Sequence, residues 1–579
     1  MTTPNTHSLP YRVGIVGCPP NPDVEWNSKN VARLKELGFN TLQLNIAWGY
    51  RPADEPLNLE DVVEIPKERE AELANSVALR CDPSPARFAE RRAALRHRIE
   101  VCKAGGMRRI FHFGAPYNAH ARYGDNPPNC PRDPKVQHRY VELLRLFATQ
   151  FPGVDDLWLY TYDQDAWLCS EFGTCPRCAG VPLHRTASEF VNLLAREWNS
   201  LQPAGRTWWE PWELSAGQVF RSAELLDAKV TGLALHSNVA EVMATQPVDR
   251  WLDLSTRLAK DLGLPLIVEH VFGSATEELG AYVHIPTPHV LLRALRAILR
   301  LPITGIKEYY GLLPDRPDPT LELTGLVLND PDLSDDEILR RLAAPYGALA
   351  DKALAYWTET SATVDLFPWS ASWFMREFDE CDPSHGMGAA FIRGQQCHTP
   401  SWESTRRCIF MKTDNMQPDA WMMEDVQLQC EMSAKHAAKA LELGRALADA
   451  APASLKTHLE AGLTELNELR RRILSYAYHL RETNLAELMR DMRKRGTEIP
   501  QRVKDELLAL LKADQQNQGQ AEPCGAAIAL LDKDLDAFLG TYFVVPEDGY
   551  TLQPAAARPP IGTGLEPFSS KGQFTVTSR

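Results

Sequence analysis

Seven short apolar runs of this chain close on side chains that can move a proton or hold a hydroxyl. The run ends supply Asn45, His112, Asp163 with Asp165, Glu210 with Glu213, His236, Glu269 with His270, and Glu308 with Tyr309. Any one of these carboxylates would also serve as a helix N-cap or a loop solubiliser. As a set they are harder to dismiss. The stretches "LYTY", "LIV" and "GIK" directly before them read as buried chain, and a buried charge without a partner is costly. A convergent set of carboxylates and imidazoles suits sugar chemistry. Cleavage of a glycosidic bond needs two carboxyl groups flanking it, one as general acid and the other as nucleophile or base. Trp48, Trp167, Trp208, Trp209 and Trp212 lie at or beside run ends. They would stack on sugar faces or pack the strands. Two other classes use the same residues. A metal-dependent sugar isomerase or lyase would hold Mg²⁺ or Mn²⁺ through them. A non-catalytic carbohydrate-binding protein would use them only to bind.

A second constellation follows the aspartates at once. Cys169, Cys175 and Cys178 form C-x5-C-x2-C, and the C-x-x-C half brings two thiolates onto one tetrahedral ion. A closed structural zinc site needs a fourth ligand. Cys130 in "DNPPNCPRD" is the first candidate and His184 the alternative. Three free thiols in a loop is the bland alternative. No thioredoxin-like context surrounds the pair, so a redox role is disfavoured. All-cysteine ligation leaves no open position, so the expected zinc is structural. No organic cofactor is expected.

These residues need elements to aim them. The β-rich runs are "YRVGIVGC" (11–18), "FNTLQLNIAW" (39–48), "RRIFHFGA" (108–115), "DLWLYTYD" (156–163), "RTWWEPWE" (206–213), "VTGLALHS" (230–237), "PLIVEHVF" (265–272) and "ITGIKEYY" (303–310). Amphipathic segments such as "SKNVARLKELG" and "ASEFVNLLAREWNSL" separate them. Eight strand–helix units fit an α/β chain folded as a (β/α)8 barrel, whose active site lies at the C-terminal strand ends. A doubly wound sheet is the rival, but no G-x-G-x-x-G follows the first run. Alternation puts Asp163 and Asp165 on one face, Ile267 with Glu269, and Ile306 with Glu308. The expected organisation is a catalytic barrel over 1–325, a Trp-rich segment over 326–425 packing on it, and a helical region over 426–579 with a Pro/Gly-rich tail. Ser334 and Glu337 have capping-box spacing at the start of the middle segment.

The bulk numbers narrow the classes. A chain of 579 residues implies two or three domains. A net charge of −14 argues against a nucleic-acid partner. No run approaches a membrane span, and the start lacks a basic region followed by a long apolar one. The 12 cysteines are mostly scattered, so reduced thiols and a cytoplasmic location are expected. The expected partner is an oligosaccharide or glycoside, with a homo-oligomer left open.

The arrangement resembles the retaining (β/α)8 glycoside hydrolases. In the zinc-containing β-galactosidases of that group an acid ending strand four precedes a cysteine-rich loop, and a further cysteine comes from the loop after strand three. Here the matching positions are Asp163 or Asp165, Cys169, Cys175 and Cys178, and Cys130 in "NCPRD". The group's nucleophile, a glutamate ending strand seven, maps to Glu269 in "PLIVEHVFG". One departure stands out. That group carries Asn-Glu at the end of strand four and this chain has "YDQDAW", which looks more like the α-glucuronidase-like and hexosaminidase-like barrels. The resemblance implies an exo-acting glycosidase with Asp163 or Asp165 as general acid and Glu269 as nucleophile or base. Asn45, Trp48, His112, Trp208, Glu210, Glu213, His236, His270, Glu308 and Tyr309 would bind substrate or tune the acids. For a uronic or sialic acid, Arg51 and Arg122 are the nearest candidate cations.

Overall fold

A computed structural model describes residues 9–368 and 420–544, except 20, 22, 47–54, 56–57, 78, 80–81, 119–126, 162–165, 170, 172, 212–213, 215, 238–249 and 275–281; residues 383–384, 550–551 and 575–576 are also described. The chain divides into two compact units, with the break between Pro345 and Tyr346.

The first unit is a closed barrel of eight parallel strands in sequence order. They are β1 (Tyr11–Ile15), β2 (Thr41–Gln43), β3 (Arg108–Gly114), β4 (Asp156–Tyr160), β5 (Thr207–Glu210), β6 (Thr231–His236), β7 (Leu266–His270) and β8 (Gly305–Glu308). Each falls inside one of the eight apolar runs. β4 to β8 are buried along their whole length, as parallel strands covered on both faces must be. The crossovers are α1 (Ser28–Glu36), α2 (Pro85–Ala104), α3 (Pro134–Gln150), α4 (Leu183–Leu201), α5 (Ala216–Ala223), α6 (Arg250–Asp261) and α7 (Pro288–Ile298). α8 (Pro319–Asn329) follows β8, and α9 (Asp335–Ala343) closes the unit.

Local chemistry sets several boundaries. The side chains of Ser84, Asp133 and Asp318 each accept a backbone N–H from the first turn of α2, α3 and α8, and proline occupies the first helical position after each. Ser334 caps α9 by accepting the Glu337 N–H at 3.3 Å. At the N-terminal ends of the strands, Arg109 pairs with Asp155 and Arg108 with the buried Asp156, tying β3 to β4.

Inside the barrel one layer is built from Val13, Ile110, Trp158, Trp208, Ala234 and Ile267, with Tyr11 against it. Two indoles fit because β6 gives way to them. A Cβ at Gly232 would stand 2.3 Å from the Trp208 ring.

The second unit is helical: α10 (Ala350–Asp365), α11 (Ala420–Ala448), α12 (Ala453–Lys494), α13 (Gln501–Asn517), α14 (Glu522–Lys533) and α15 (Leu535–Thr541). One of its cores gathers Met489, Leu507, Leu511, Leu531 and Phe538. Residues 369–382 and 385–419 of the Trp-rich segment, and most of the tail, lie outside the described residues.

Candidate active site

The layer of Trp158 and Trp208 determines what lies above it. Side chains alternate along a strand, so the residue two positions on from each layer member points into the barrel mouth. From Ile110 this is His112, from Trp158 it is Tyr160, and from Trp208 it is Glu210. From Ala234 it is His236, and from Ile267 it is Glu269. All five are buried.

Glu210 is the centre of this second tier. Its Oε2 accepts the Trp158 indole N–H at 2.8 Å and lies 3.4 Å from His112 Nε2. Its Oε1 lies 3.1 Å from His236 Nε2. Burial by itself would raise the Glu210 carboxyl, but the bonds and charge of the two histidines outweigh it and hold the group well below the usual carboxylate range. The His236 ring packs edge-on against Tyr309 at 4.8 Å, and His112 against Tyr160 at 5.1 Å.

Glu269 is the second carboxyl of the tier and its environment is the opposite one. Burial and then the Glu210 charge push its carboxyl up, against Lys307 and His236. Oε2 accepts from Lys307 Nζ at 2.6 Å. Oε1 is buried and has no hydrogen-bond partner among the described residues. One oxygen of each carboxylate and a ring nitrogen of His236 lie within 4.8 Å of one another.

Other expected site residues have different surroundings. Trp208 is part of the interior layer beneath the tier. Asn45 bridges β2 to β3, donating to His112 O at 2.8 Å and accepting from His112 N at 3.0 Å. His270 lies on the opposite face of β7 from Glu269, 2.6 Å from Ser237 Oγ, and burial lowers it to about 3, so it is neutral. Glu308 lies on the opposite face of β8 from Lys307. It accepts the backbone N–H groups of Phe272, Tyr310 and Gly311 at 2.8, 2.8 and 3.0 Å. Burial raises its carboxyl to about 7 in spite of these bonds. Trp209 points away from the barrel interior, its indole donating to Thr161 Oγ1 at 2.9 Å. Asp163, Asp165, Trp48, Glu213, Trp212, Arg51 and Arg122 lie outside the described residues.

Sequence reasoning missed Lys307. The alternation in "GIKE" pairs Ile306 with Glu308, and the carboxylate drew attention to that face. The inward face is the other one, carrying Gly305 and Lys307. In sequence Trp158 is one apolar residue of a run; the signal of its role is that an indole N–H needs an acceptor when buried.

The cysteines converge. Cys130, from the loop before α3, meets Cys169, Cys175 and Cys178 from the loop before α4, all buried and all free thiols. Cys130 Sγ lies 3.4 Å from Cys178 Sγ and 3.7 Å from Cys175 Sγ, and all four sulfurs lie within 4.8 Å of one another. A tetrahedral ion with Zn–S near 2.3 Å requires sulfurs roughly 3.8 Å apart, so the donor set and its spacing fit zinc. His184 is not in the group. Asn118 clamps the same two loops, donating to Asn129 O at 3.0 Å and Trp167 O at 2.8 Å.

No family model and no curated protein matches the chain. Solved structures of similar fold are glycoside hydrolases. A GH138 enzyme targeting pectin rhamnogalacturonan II aligns over 96% of this chain with a TM-score of 0.54 at 12% identity; the chain spans 65% of that enzyme. A mutant O-GlcNAc hydrolase of Thermobaculum terrenum covers 89% of this chain and 97% of its own at TM-score 0.40 and 12% identity. A β-glucuronidase 2 mutant of Bacteroides uniformis covers 56% of this chain and 34% of its own at 0.33 and 12%. At 12% identity the first likeness is one of fold.

Proposed function

We propose that this barrel is an exo-acting glycoside hydrolase. The observation that carries the reading is the pair Glu210 and Glu269 at the C-terminal strand ends, with an oxygen of each within 4.8 Å. Their environments differ: the two histidines hold Glu210 down, while burial and the Glu210 charge push Glu269 up and Lys307 opposes that push in favour of the charged form. Glu269 is the nucleophile or base, because its Oε1 alone of the two oxygens has no hydrogen-bond partner among the described residues. Glu210 stays charged and orients His112 and His236 toward substrate hydroxyls. Asp163 or Asp165, following β4 in the sequence, supplies the general acid. The buried setting of the tier suits a single terminal sugar, held against Glu210, His236 and Glu269 rather than against the indole layer beneath them. The GH138 fold likeness makes a pectic glycan a reasonable first substrate class to assay. The four cysteines hold a structural zinc that pins the loop following Asp163 and Asp165. The protein acts in the cytoplasm on imported oligosaccharides; no described helix is long and apolar enough to cross a membrane.

The test is a screen of nitrophenyl glycosides and glycuronides with wild type, Asp163→Asn, Asp165→Asn and Glu269→Gln. At least one variant should lose about a hundredfold or more, the low end of what a positioned acid–base contributes. Uniform activity across the variants would refute the site.

A metal-dependent isomerase or lyase has one observation in its favour, the grouping of Glu210, His236 and Glu269. Lys307 speaks against it, because its amine already neutralises Glu269 at 2.6 Å and would repel a second cation there. Activity lost in EDTA and restored by Mn²⁺ would decide for the metal enzyme.

A further inference from the structure

We infer that Lys307 is a positioning residue acting through Glu269: it holds Oε2 and so leaves Oε1 as the oxygen that meets the substrate. The inference rests on the glycosidase reading of Glu269. Its basis is geometric. Glu269 and Lys307 are register partners across β7 and β8, so the two side chains leave the sheet side by side. Lys307 Nζ lies 2.6 Å from Glu269 Oε2, 3.1 Å from the Glu308 carbonyl oxygen and 4.6 Å from the centre of the Trp158 ring. Contacts with β7, β8 and β4 thus fix one amine. The two side chains are 1% and 2% exposed, so water does not compete for either.

The consequence follows from carboxylate geometry. The terminal torsion of glutamate is broad and two-fold, so an untethered carboxylate samples a range of planes. A single strong bond to one oxygen selects one orientation. The other oxygen, Oε1, is buried and unpartnered among the described residues. An acceptor left that way is costly until something fills it, and in this site the filler is the reacting sugar. Glu210 does not need the lysine, since Trp158, His112 and His236 already surround its two oxygens. The Glu308 carboxylate does not compete for it, being bound by backbone N–H groups on the far face of β8. Among the described residues Glu269 is therefore the one carboxylate that Lys307 serves. A reacting oxygen displaced by about 1 Å loses on the order of a hundredfold in rate, which sets the scale of the effect.

The experiment compares Lys307→Met and Lys307→Arg with wild type by two readouts. The first is steady-state hydrolysis of the best substrate from the glycoside screen. Lys307→Met should lower kcat by at least about tenfold with KM nearly unchanged, and Lys307→Arg should recover part of it, because the donor returns. The second needs no substrate. The carboxylate stretching band of Glu269, isolated as the infrared difference between wild type and Glu269→Gln, should shift in Lys307→Met when the bond to Oε2 is lost. Wild-type kcat in a folded Lys307→Met variant, or an unchanged band, would overturn the inference. If no glycoside is cleaved by any form, the glycosidase reading fails on its own, and the band still reports whether Lys307 holds Glu269. If the Met variant does not fold, Lys307→Gln takes its place under the same two criteria.

Discussion

The indole N–H of Trp158 reaches up from the barrel's interior layer and donates to Glu210 Oε2 at 2.8 Å. This bond joins the packing of the barrel to the chemistry of its mouth. The same ring that fills the core beside Trp208 also orients the carboxylate around which His112 and His236 are arranged. Site geometry and core packing are therefore coupled, and a change in one should register in the other.

Trp158→Phe tests that coupling. A smaller ring is kept while the donor is lost, so a buried carboxylate loses one bond, at about 1.5–3 kcal/mol, and the missing ring atoms leave a void that adds a pH-independent cost. Glu210 is depressed in the folded state, from an ordinary value of 4.5. It therefore contributes stability above that value, and this stability is lost as pH falls below it toward the folded value. Urea unfolding followed from pH 7 downward should show the decline below 4.5 levelling off at a higher pH in Trp158→Phe than in wild type, because a lost donor raises the folded-state value. The same levelling point in both would show that the indole does not help hold Glu210 ionised.

Glu308 predicts the opposite slope. Its carboxyl is raised to about 7 in the fold against 4.5 when free. The unfolded chain releases this proton first, so the contribution is fully present below pH 4.5 and is lost as pH rises to about 7. That shift is worth about 3 kcal/mol. Calorimetry of Glu308→Gln should show a lower Tm at pH 5, since an amide cannot accept all three N–H bonds. It should also show a flatter decline in Tm between pH 4.5 and 7. An unchanged slope would mean that the carboxyl is not raised.

Glu269→Gln should still fold, at lower stability because the buried Lys307 loses its counter-charge, and should lose at least about a hundredfold in hydrolysis. Circular dichroism with steady-state assays separates the two effects. Full activity would remove Glu269 from the reaction.

Cys130→Ser removes the ligand contributed by the loop before α3. Purified wild type should carry about one equivalent of zinc, and the variant clearly less, with a Tm lower by several degrees. Structural zinc binding is folding free energy. Wild type with under about half an equivalent would rule out the site.

Local patterning in the chain was enough to specify the barrel and the strand ends that carry Glu210, His236 and Glu269. Apolar runs, polar closures and the helical segments between them placed eight strands in order, and the closed barrel contains each one. Strand alternation is a local property, so Ile267 with Glu269 was legible without coordinates. The C-x-x-C spacing was local too, and it pointed to the loop whose cysteines meet Cys130. What alternation does not reveal is which of two faces points inward. In "GIKE" the inward face carries Lys307, while Glu308 turns away to hold the loops after β7 and β8. Nor does sequence measure distance across the barrel. Only the tertiary structure brought Trp158 of β4 onto Glu210 of β5, Lys307 of β8 onto Glu269 of β7, and Cys130 rather than His184 beside the other three cysteines. The physical reason is the same each time. Barrel closure brings together side chains far apart in the chain, and each buried polar group must then find its partner among whichever neighbours closure has supplied.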